Sequence, residues 1–357
     1  MDRHISVGVV GATGVVGQRY LQLLDNHPWF SVQFVAASQQ SAGKSLARAL
    51  EGRWDCARPL SNRLAELPVQ TIDAVGAAAE TCQLIFSCVD NHLAKEWDAR
   101  YAEAGLTVIA HASCWRGELD VPVIIPEINP EHLNLLPVQQ QLRGWKTGCI
   151  VAKPNCSLQS YLLPLWPLHQ AFCLQEVLAT TMQAVSGAGY PGPNAEELVD
   201  NVIPYIPGEE EKSEIEPLKI LGRFCEKKIQ LNRDIKLSVH CNRVGVTHGH
   251  LACVSARFQE KPGLDQIQEV WSQGYTTVAS GLPSAPPSVL RYMDEPARPQ
   301  PALDRDAGNG MTVTIGRLRD CPLMDIRFTA LSHNAVRGAA GGGLLLAELL
   351  VKQHHFA

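Results

Sequence analysis

The sequence lacks the features that mark several large classes of protein. It has no run of basic residues, and 31 Lys and Arg stand against 36 Asp and Glu, a formal net charge of −5. Nucleic-acid surfaces need clustered positive charge, so this class is excluded. The longest apolar stretch is GGGLLLAELLV. A membrane-spanning helix needs about 20 such residues, so no membrane span is predicted.

Ordered cysteine patterns are also missing. The chain has 11 cysteines, an odd number, with no CxxC pair and no metal-finger spacing. The start, MDRHISVGVVGATG, lacks the zones of a signal peptide. We therefore expect a cytoplasmic protein in which most thiols are free and act as small hydrophobes. His240, His248 and His250 have no acid or cysteine at a fitting spacing, so no metal site is predicted.

Hydrophobic patterning divides the chain into two parts. Up to about residue 153, strand-like segments such as ISVGVVG, VQFVAAS and LTVIAHAS alternate with helical ones such as HLAKEWDARYAEAG. This alternation predicts a doubly wound parallel sheet. Longer alternating strands follow, such as KLSVHCNRVGV and HGHLACVSARF, and they predict a mixed sheet. The apolar helix at the end is expected to pack back onto the first part.

A glycine-rich turn follows the first strand. GATGVVG has the spacing GxxGxxG, a variant of the dinucleotide fingerprint. Glycines let the backbone approach a pyrophosphate, and the next helix presents free N–H groups to it. We assign the cofactor to the turn residues and to one serine at the end of a later strand: Gly11, Thr13, Gly14, Val15, Val16 and Ser87.

The second strand has no acidic residue at its end. NAD-binding folds place Asp or Glu there to bind the ribose 2′-hydroxyl. Here the sequence reads FVAASQQSAGK, in which Ser38, Ser41 and Lys44 offer hydroxyls and a positive charge. These groups suit a 2′-phosphate, so NADP is favoured over NAD as the cofactor.

Cys156 lies in PNCSLQSYLL, where a loop meets a predicted helix that Pro164 and Pro167 should keep short or kinked. Free amides at a helix start lower a thiol pKa, so Cys156 is a candidate nucleophile. A small buried hydrophobe is the alternative. His248 and His250 are candidate bases, and Arg243 could bind a carboxylate in bidentate fashion.

The chain resembles aspartate-semialdehyde dehydrogenases, most of all the branch found in archaea, fungi and some bacteria. The resemblance covers essentially the whole chain and rests on segments that occur in the family's order: GATGVVGQ, AASQQSAGKSL, VPVIIPEIN, PNCS, AVSGAGYPG, GEEEK, RVGVTHGH and HNAVRGAAGG. It implies a Rossmann-type NADP-binding domain at 1–153, completed by a helix at 334–357, and an α+β catalytic and dimerisation domain at 154–333. It also implies a homodimer or homotetramer.

The resemblance also implies roles for individual residues. Cys156 matches the nucleophile, His250 the acid/base and Gln183 the residue that orients the thiohemiacetal. Arg243 matches the group that binds the substrate carboxylate, and Glu209, with Glu210 and Glu211 as alternatives, the group that meets the substrate amine. The remaining matches are the phosphate-binding set, Arg116, Asn155 and Lys212, and the positions near the nicotinamide, Ser186, Gly187 and Asn334.

The implied reaction is the NADPH-dependent conversion of L-aspartyl 4-phosphate to L-aspartate 4-semialdehyde through a cysteine thioester. A malonyl-CoA or other acyl-CoA reductase, an N-acetyl-γ-glutamyl-phosphate reductase and a catalytically silent NADP-binding homologue are the alternatives. The chain departs from the family at NCSLQS, at Gly245 in RVGV, and at Cys114 and Trp115 beside Arg116. These departures affect loop geometry and substrate preference more than the chemistry.

Overall fold

The computed structural model describes residues 4–56, 58–189, 192, 195–273 and 276–353, and within these ranges the strands form two large sheets and a two-stranded ribbon. Tyr190 and Pro191 of the predicted AVSGAGYPG segment lie outside the described residues. So do the two ends of the predicted nucleotide domain, 1–3 and 354–357.

The first sheet is parallel throughout. Its strands are β1 (Ile5–Val10), β2 (Phe30–Ala37), β3 (Val69–Thr71), β4 (Leu84–Ser87), β5 (Thr107–Ala110) and β6 (Cys149–Ala152). Their order is β3-β2-β1-β4-β5-β6, the Rossmann order, so ligands are expected beyond the carboxyl ends near β1 and β4, where the order reverses. The predicted Rossmann-type sheet is confirmed.

Helices connect these strands and cover the sheet, which is why the strands are apolar almost without interruption. They are α1 (Val15–Leu24), α2 (Leu46–Ala49), α3 (Asn62–Ala65), α4 (Val75–Thr81), α5 (Asn91–Glu103) and α6 (Leu136–Arg143). The helical segment HLAKEWDARYAEAG predicted from the sequence forms α5, and Gly105, the last residue of that segment, adopts a φ of +97° just beyond the helix.

The second sheet is mixed, as predicted. Its strands are β7 (Leu174–Gln183), β10 (Lys236–Arg243), β11 (His250–Phe258), β12 (Leu290–Met293), β13 (Val313–Asp320) and β14 (Ile326–Ser332), while β8 (Arg223–Cys225) and β9 (Lys228–Gln230) form the ribbon. The order is β10-β7-β11-β14-β13-β12, with parallel pairs at both edges and antiparallel pairs between them. Burial alternates along β11, so one face of this sheet carries the core.

The remaining helices are α7 (Leu158–Phe172), α8 (Ala195–Leu198), α9 (Glu209–Ile220), α10 (Leu264–Ser272), α11 (Pro301–Asp304) and α12 (Gly341–Lys352). Pro164 and Pro167 were predicted to keep α7 short or kinked, and of these alternatives a short helix is wrong, since α7 runs for 15 residues through both prolines. Most of its apolar side chains are buried, and this burial offsets the backbone hydrogen bonds that the prolines cannot donate.

The C-terminal segment returns to the first sheet, as the sequence predicts. A π-helical turn, Val336–Ala340, leads directly into α12, whose leucines share one core cluster with Val7, Val9 and Tyr20. Glu348 of α12 accepts a hydrogen bond from His27 at 2.9 Å in this core. Within the described residues, no helix is long and apolar enough to cross a membrane.

Candidate active site

The turn after β1 is tightly packed, and its close contacts depend on glycines that lack side chains. Gly11 has a φ of +83°, and a Cβ there would lie 2.6 Å from the Cys88 carbonyl oxygen. A Cβ on Gly17 would lie 2.2 Å from the Gly11 oxygen. Gly14 is the N-cap of α1, and its lack of a side chain leaves the first amides of the helix without a side-chain cap. Thr13, Val15 and Val16 complete this turn, which fits a pyrophosphate.

The end of β2 carries the groups predicted for a 2′-phosphate. Ser38 and Lys44 are exposed, whereas Ser41 is buried and its amide donates a hydrogen bond to the Ser38 carbonyl at 2.9 Å. The loop thus folds back on itself with hydroxyls and one cation and without a carboxylate. This chemistry fits NADP better than NAD. Ser87, at the end of neighbouring β4, is buried.

The structure brings Cys156 and His250 together from positions 94 residues apart. Cys156 lies in the turn before α7, and His250 is the first residue of β11. The distance between Cys156 Sγ and His250 Nε2 is 3.3 Å. The prediction of a thiol near the start of a helix is therefore confirmed, and of the two candidate bases His250 is the one that reaches the sulfur.

The hydrogen bonds of His250 define its tautomer. The Ala184 amide donates a hydrogen bond to His250 Nδ1 at 3.0 Å, so Nδ1 carries no proton. A neutral ring then holds its proton on Nε2 and donates it towards Cys156 Sγ. Burial, with Arg243, His333 and His248 nearby, lowers the pKa of His250 to about 3. The ring is therefore neutral at physiological pH and acts as a hydrogen-bond donor.

The thiol itself is held in its neutral form by its surroundings. Burial and then Glu209 raise the pKa of Cys156 to about 11. Three cations oppose this shift, namely Arg116, Lys153 and Arg243. Ionisation of Cys156 therefore depends on these cations, because the site removes the thiolate from water.

Glu209 is the centre of the polar contacts beside Cys156. Asn155 Nδ2 donates to Glu209 Oε2 at 2.8 Å, and Lys212 Nζ donates to its Oε1 at 2.9 Å. Gln183 Nε2 also reaches Oε2, at 3.4 Å. Burial alone would raise the pKa of Glu209, but Lys212 and these hydrogen bonds hold it below the usual value, so the carboxylate stays charged.

The rotational phase of α9 determines which of the three consecutive glutamates faces this cluster. Glu210 accepts a hydrogen bond from the Cys241 amide on the neighbouring strand, and Glu211 is exposed. Glu209, by contrast, shares its helix face with Glu216, seven residues later. Of the three, Glu209 is therefore the one that contacts Asn155, Lys212 and Gln183.

Sequence reasoning missed Glu216. Its Oε1 accepts a hydrogen bond from Arg116 Nη1 at 2.8 Å, and its Oε2 accepts one from the Asn155 amide at 2.7 Å. This one carboxylate thus positions Arg116 and the loop that carries Cys156. The spacing of seven residues, two helical turns from Glu209, is the signal that could have found it.

Arg243 and the predicted nicotinamide positions lie close to His250. Arg243 is buried, and its Nη1 donates to the Ala184 carbonyl at 2.7 Å. A Cβ on Gly187 would lie 2.9 Å from His250 Nε2, so only glycine lets this segment lie against the ring. Asn334 Nδ2 donates to Ser186 Oγ at 2.9 Å, which joins the last two predicted positions.

The departures from the family pattern have structural counterparts. A Cβ on Gly245 would lie 3.1 Å from the Leu198 carbonyl oxygen, so the glycine admits this close approach. Trp115 is buried and its Nε1 donates to Asp98 at 2.8 Å, beside Arg116. Leu158 is in the core, and Ser160 Oγ donates to the Ser157 carbonyl at 2.7 Å within the first turn of α7.

Among the described residues, no three or more His, Cys, Asp or Glu side chains come together in a group that could hold a metal ion. The reactive groups of the site are the Cys156 thiol and the His250 ring, with cations and the Glu209 carboxylate around them. Such a set can bind a small anionic substrate and form a covalent bond to it.

Comparison with known proteins gives matches over nearly the whole chain. Residues 6–136 match the semialdehyde dehydrogenase NAD binding domain, and residues 165–337 match the semialdehyde dehydrogenase dimerisation domain. The chain is 42% identical over 348 residues to an aspartate-semialdehyde dehydrogenase of Archaeoglobus fulgidus, covering 98% of each chain. It is 41% identical over 354 residues to one of Aspergillus fumigatus, covering 96% of each chain.

Solved structures agree with the sequence comparison. The crystal structure of aspartate semialdehyde dehydrogenase with NADP from Candida albicans superposes with a TM-score of 0.89 at 37% identity, covering 98% of this chain and 99% of that one. Aspartate semialdehyde dehydrogenase II from Vibrio cholerae gives a TM-score of 0.77 at 25% identity, covering 99% and 100%.

Proposed function

The chain belongs to the aspartate-semialdehyde dehydrogenase family, and we propose that the cluster around Cys156 is where it carries out that family's reaction. The enzyme uses NADP and interconverts L-aspartyl 4-phosphate and L-aspartate 4-semialdehyde, a step in the biosynthesis of lysine, threonine and methionine. The observation that carries the assignment of the site is the 3.3 Å distance between Cys156 Sγ and His250 Nε2.

Cys156 forms and breaks the covalent bond to the substrate. Its thiolate attacks the acyl carbon of aspartyl phosphate, a carbon–sulfur bond forms, and the bond from that carbon to the phosphate oxygen breaks. Phosphate leaves with the electron pair and a thioester remains. When bound, NADPH would supply the hydride that reduces this thioester. The carbon–sulfur bond to Cys156 then breaks and the aldehyde is released.

His250 holds a proton at Nε2 beside the reacting atoms. Because the Ala184 amide occupies Nδ1, this proton points at the sulfur and can be shared with the atom that carries negative charge. That atom is Cys156 Sγ before attack and the substrate carbonyl oxygen afterwards. We assign Gln183 to orienting the thiohemiacetal, since its side-chain amide is buried in the same cluster.

Two groups of opposite charge suit the amino acid end of the substrate. The guanidinium of Arg243 binds the carboxylate, and the carboxylate of Glu209 binds the ammonium group. Both side chains are already ordered, Arg243 by the Ala184 carbonyl and Glu209 by Asn155 and Lys212. Little side-chain freedom is therefore lost when the substrate binds.

Arg116, Asn155 and Lys212 suit the phosphate. Arg116 is fixed by Glu216 and by the carbonyl of His111, to which its Nη2 donates at 2.8 Å. Lys212 is fixed by Glu209. Two cations and an amide can stabilise the departing dianion without a metal ion.

Three parts of the chain are assigned to the cofactor. The glycine turn with the start of α1 holds the pyrophosphate, and the loop after β2 holds the 2′-phosphate. Ser186, Gly187 and Asn334 lie beside His250 and are assigned to the nicotinamide end, with Ser87 between these regions at the end of β4.

One assay tests the function. Purified protein is given L-aspartate semialdehyde, phosphate and NADP⁺, and absorbance at about 340 nm, the NADPH band, is followed. We expect NADPH to form only when phosphate is present. If the protein reduced malonyl-CoA with NADPH but did not oxidise aspartate semialdehyde, the chain would instead be assigned to the acyl-CoA reductases. If it showed no activity with either substrate, an enzymatic role would be contradicted.

Replacing Lys44 with alanine should weaken NADP binding selectively. Loss of one charged contact to the 2′-phosphate is expected to raise the KM for NADP⁺ by about tenfold and to leave the KM for NAD⁺ unchanged. Lys146→Ala is the matched control, since Lys146 is also an exposed lysine but precedes β6, at the opposite edge of the sheet. An equal rise for both cofactors would place Lys44 away from the 2′-phosphate.

We divide the chain into a nucleotide domain, 1–153 with 334–357, and a catalytic and dimerisation domain, 154–333. Packing of α12 in the core of the first sheet supports this division. The chain carries a semialdehyde dehydrogenase dimerisation domain, and a homodimer through the second sheet is the proposed assembly. A mass of twice 39.0 kDa in light scattering is expected, and four times that mass would indicate the tetramer.

A cytoplasmic location is part of the same proposal. All 11 cysteines are free thiols, including the proposed nucleophile. Free thiols in this number suit a reducing compartment.

A further inference from the structure

Lys153 is a buried lysine close to Cys156 that the mechanism above does not use. It follows β6 directly, three residues before Cys156, and its amide donates to the Ala110 carbonyl at 2.8 Å. Its side chain is 1% exposed, and among the described residues Nζ has no hydrogen-bond partner. A buried, unpartnered amine is costly, so a role for it is expected.

Two glycines four residues apart pack against Lys153 and Cys156. A Cβ on Gly342 would lie 2.8 Å from Lys153 Cε and 3.0 Å from Nζ. A Cβ on Gly338 would lie 2.8 Å from Cys156 Cβ and 3.0 Å from the Cys156 carbonyl oxygen. The glycine face of the segment that leads into α12 therefore packs against both residues.

The surroundings of Lys153 lower the pKa of its amine. The charged and titratable groups that face it come from four parts of the chain: Arg337, Arg116, Glu127, His111 and Cys156. Arg337 is already paired with Glu127. Burial, Arg337 and Arg116 lower the pKa of Lys153 to about 7, while Cys156 and Glu127 act in the opposite direction.

His250 cannot take the proton that Cys156 loses on ionisation. The Ala184 amide fills its Nδ1, and Nε2 already carries a proton. Glu209 is a weak acceptor, because Lys212 and its hydrogen bonds hold its pKa low. Lys153 is therefore the basic group near the sulfur whose protonated form a thiolate would stabilise most.

We propose that Lys153 is a positioning residue whose buried ammonium group is the counter-charge of the Cys156 thiolate. The inference rests on the proposed role of Cys156 as nucleophile. An amine with a thiol and an ammonium with a thiolate contain the same number of protons, so the reactive ion pair forms without a proton leaving the protein.

The test is the pH dependence of alkylation of Cys156 by iodoacetamide, quantified by mass mapping of the peptide that contains it. Only the thiolate reacts. In the parent protein the rate should rise towards pH of about 7, level off as the Lys153 amine loses its charge, and rise again towards the thiol pKa of about 11. A single uninterrupted rise in the parent protein would overturn the proposal.

Lys153→Met removes the amine and keeps an unbranched side chain of similar length. The plateau should disappear, and the alkylation rate between about pH 6 and 7 should fall by about tenfold, since one nearby cation shifts a thiol pKa by at least about one unit. An unchanged profile in folded Lys153→Met would contradict the proposal. Because alkylation needs neither substrate nor cofactor, this result is independent of the aspartate semialdehyde assay.

Lys219→Met is the matched control. Lys219 is also buried, but its Nζ donates to three carbonyls, those of Arg116, Glu118 and Val121. Its loss should lower the melting temperature and leave the plateau in place. If Lys219→Met abolished the plateau as well, general loosening of the fold would explain the effect and the counter-charge proposal would be wrong.

Discussion

Replacing Cys156 with alanine is expected to lower phosphate-dependent NADPH formation by about 10⁴-fold or more, because no other group can form the acyl intermediate. Binding of NADP should be unaffected, since the glycine turn and the loop after β2 lie in other parts of the chain. The measurements are the initial rate with aspartate semialdehyde and phosphate, and the Kd of NADP by fluorescence titration.

Cys149→Ala is the control for this substitution. Cys149 is a buried cysteine on β6, seven residues before Cys156, whose Sγ contacts Thr107 Oγ1 at 3.7 Å away from the site. Its loss should cost some stability and little activity. If Cys156→Ala kept more than about a hundredth of the parent rate, the nucleophile would have to be another group.

Replacing His250 with asparagine is expected to lower kcat by about 10²- to 10⁴-fold. The side-chain oxygen of asparagine can still accept the Ala184 amide, so the backbone should keep its place. What is lost is the donor that faces Cys156 Sγ. The exposed His240 on β10 offers a control, and His240→Asn should leave kcat unchanged.

The pH profile separates this role from that of an ordinary histidine base. The folded pKa of His250 is lowered from 6.5 to about 3, so its ring stays neutral from pH 8 down to 5. Its titration should therefore contribute no acidic limb to kcat in that range. A limb near pH 6.5 that disappears in His250→Asn would show that the ring is charged in the working enzyme.

The same shift makes folding sensitive to acid. The unfolded chain binds a proton at His250 near pH 6.5, whereas the folded chain does so only near pH 3. Stability from this group is therefore fully present above pH 6.5 and is lost as the pH falls towards 3. His333, whose pKa burial also lowers to about 3, acts in the same direction.

The hydrophobic periodicity of the sequence and the local spacing of its glycines were sufficient to predict the two sheets and the glycine turn. The parallel sheet was predictable because strand and helix patterns alternate up to β6, and the glycine turn because its spacing is local. The full length of α7 was not predictable, since its two prolines argue for a short or kinked helix and only burial against the second sheet opposes them. Tertiary packing decided that case.

The site was predictable only in part for a related reason. Cys156 is a candidate within its own segment. The roles of Glu216 and Lys153, by contrast, follow from contacts with Asn155, about 60 residues from Glu216, and with Gly342, more than 180 residues from Lys153. The resemblance implied Glu209 with two neighbouring glutamates as alternatives, and only the phase of α9 shows which of the three contacts Asn155 and Lys212. Contacts of this kind depend on how the two sheets meet, which local patterns do not encode.

The return of α12 to the first sheet has a consequence for synthesis on the ribosome. Tyr20 fits against Gly343, and His27 pairs with Glu348 at a separation of 321 residues. Because β1 precedes α12 in the chain, the core around β1 stays open until α12 has been translated. At a translation rate of about 5 to 20 residues per second, the nucleotide domain exposes apolar surface for on the order of half a minute. Chaperones bind exposed apolar surface of this kind.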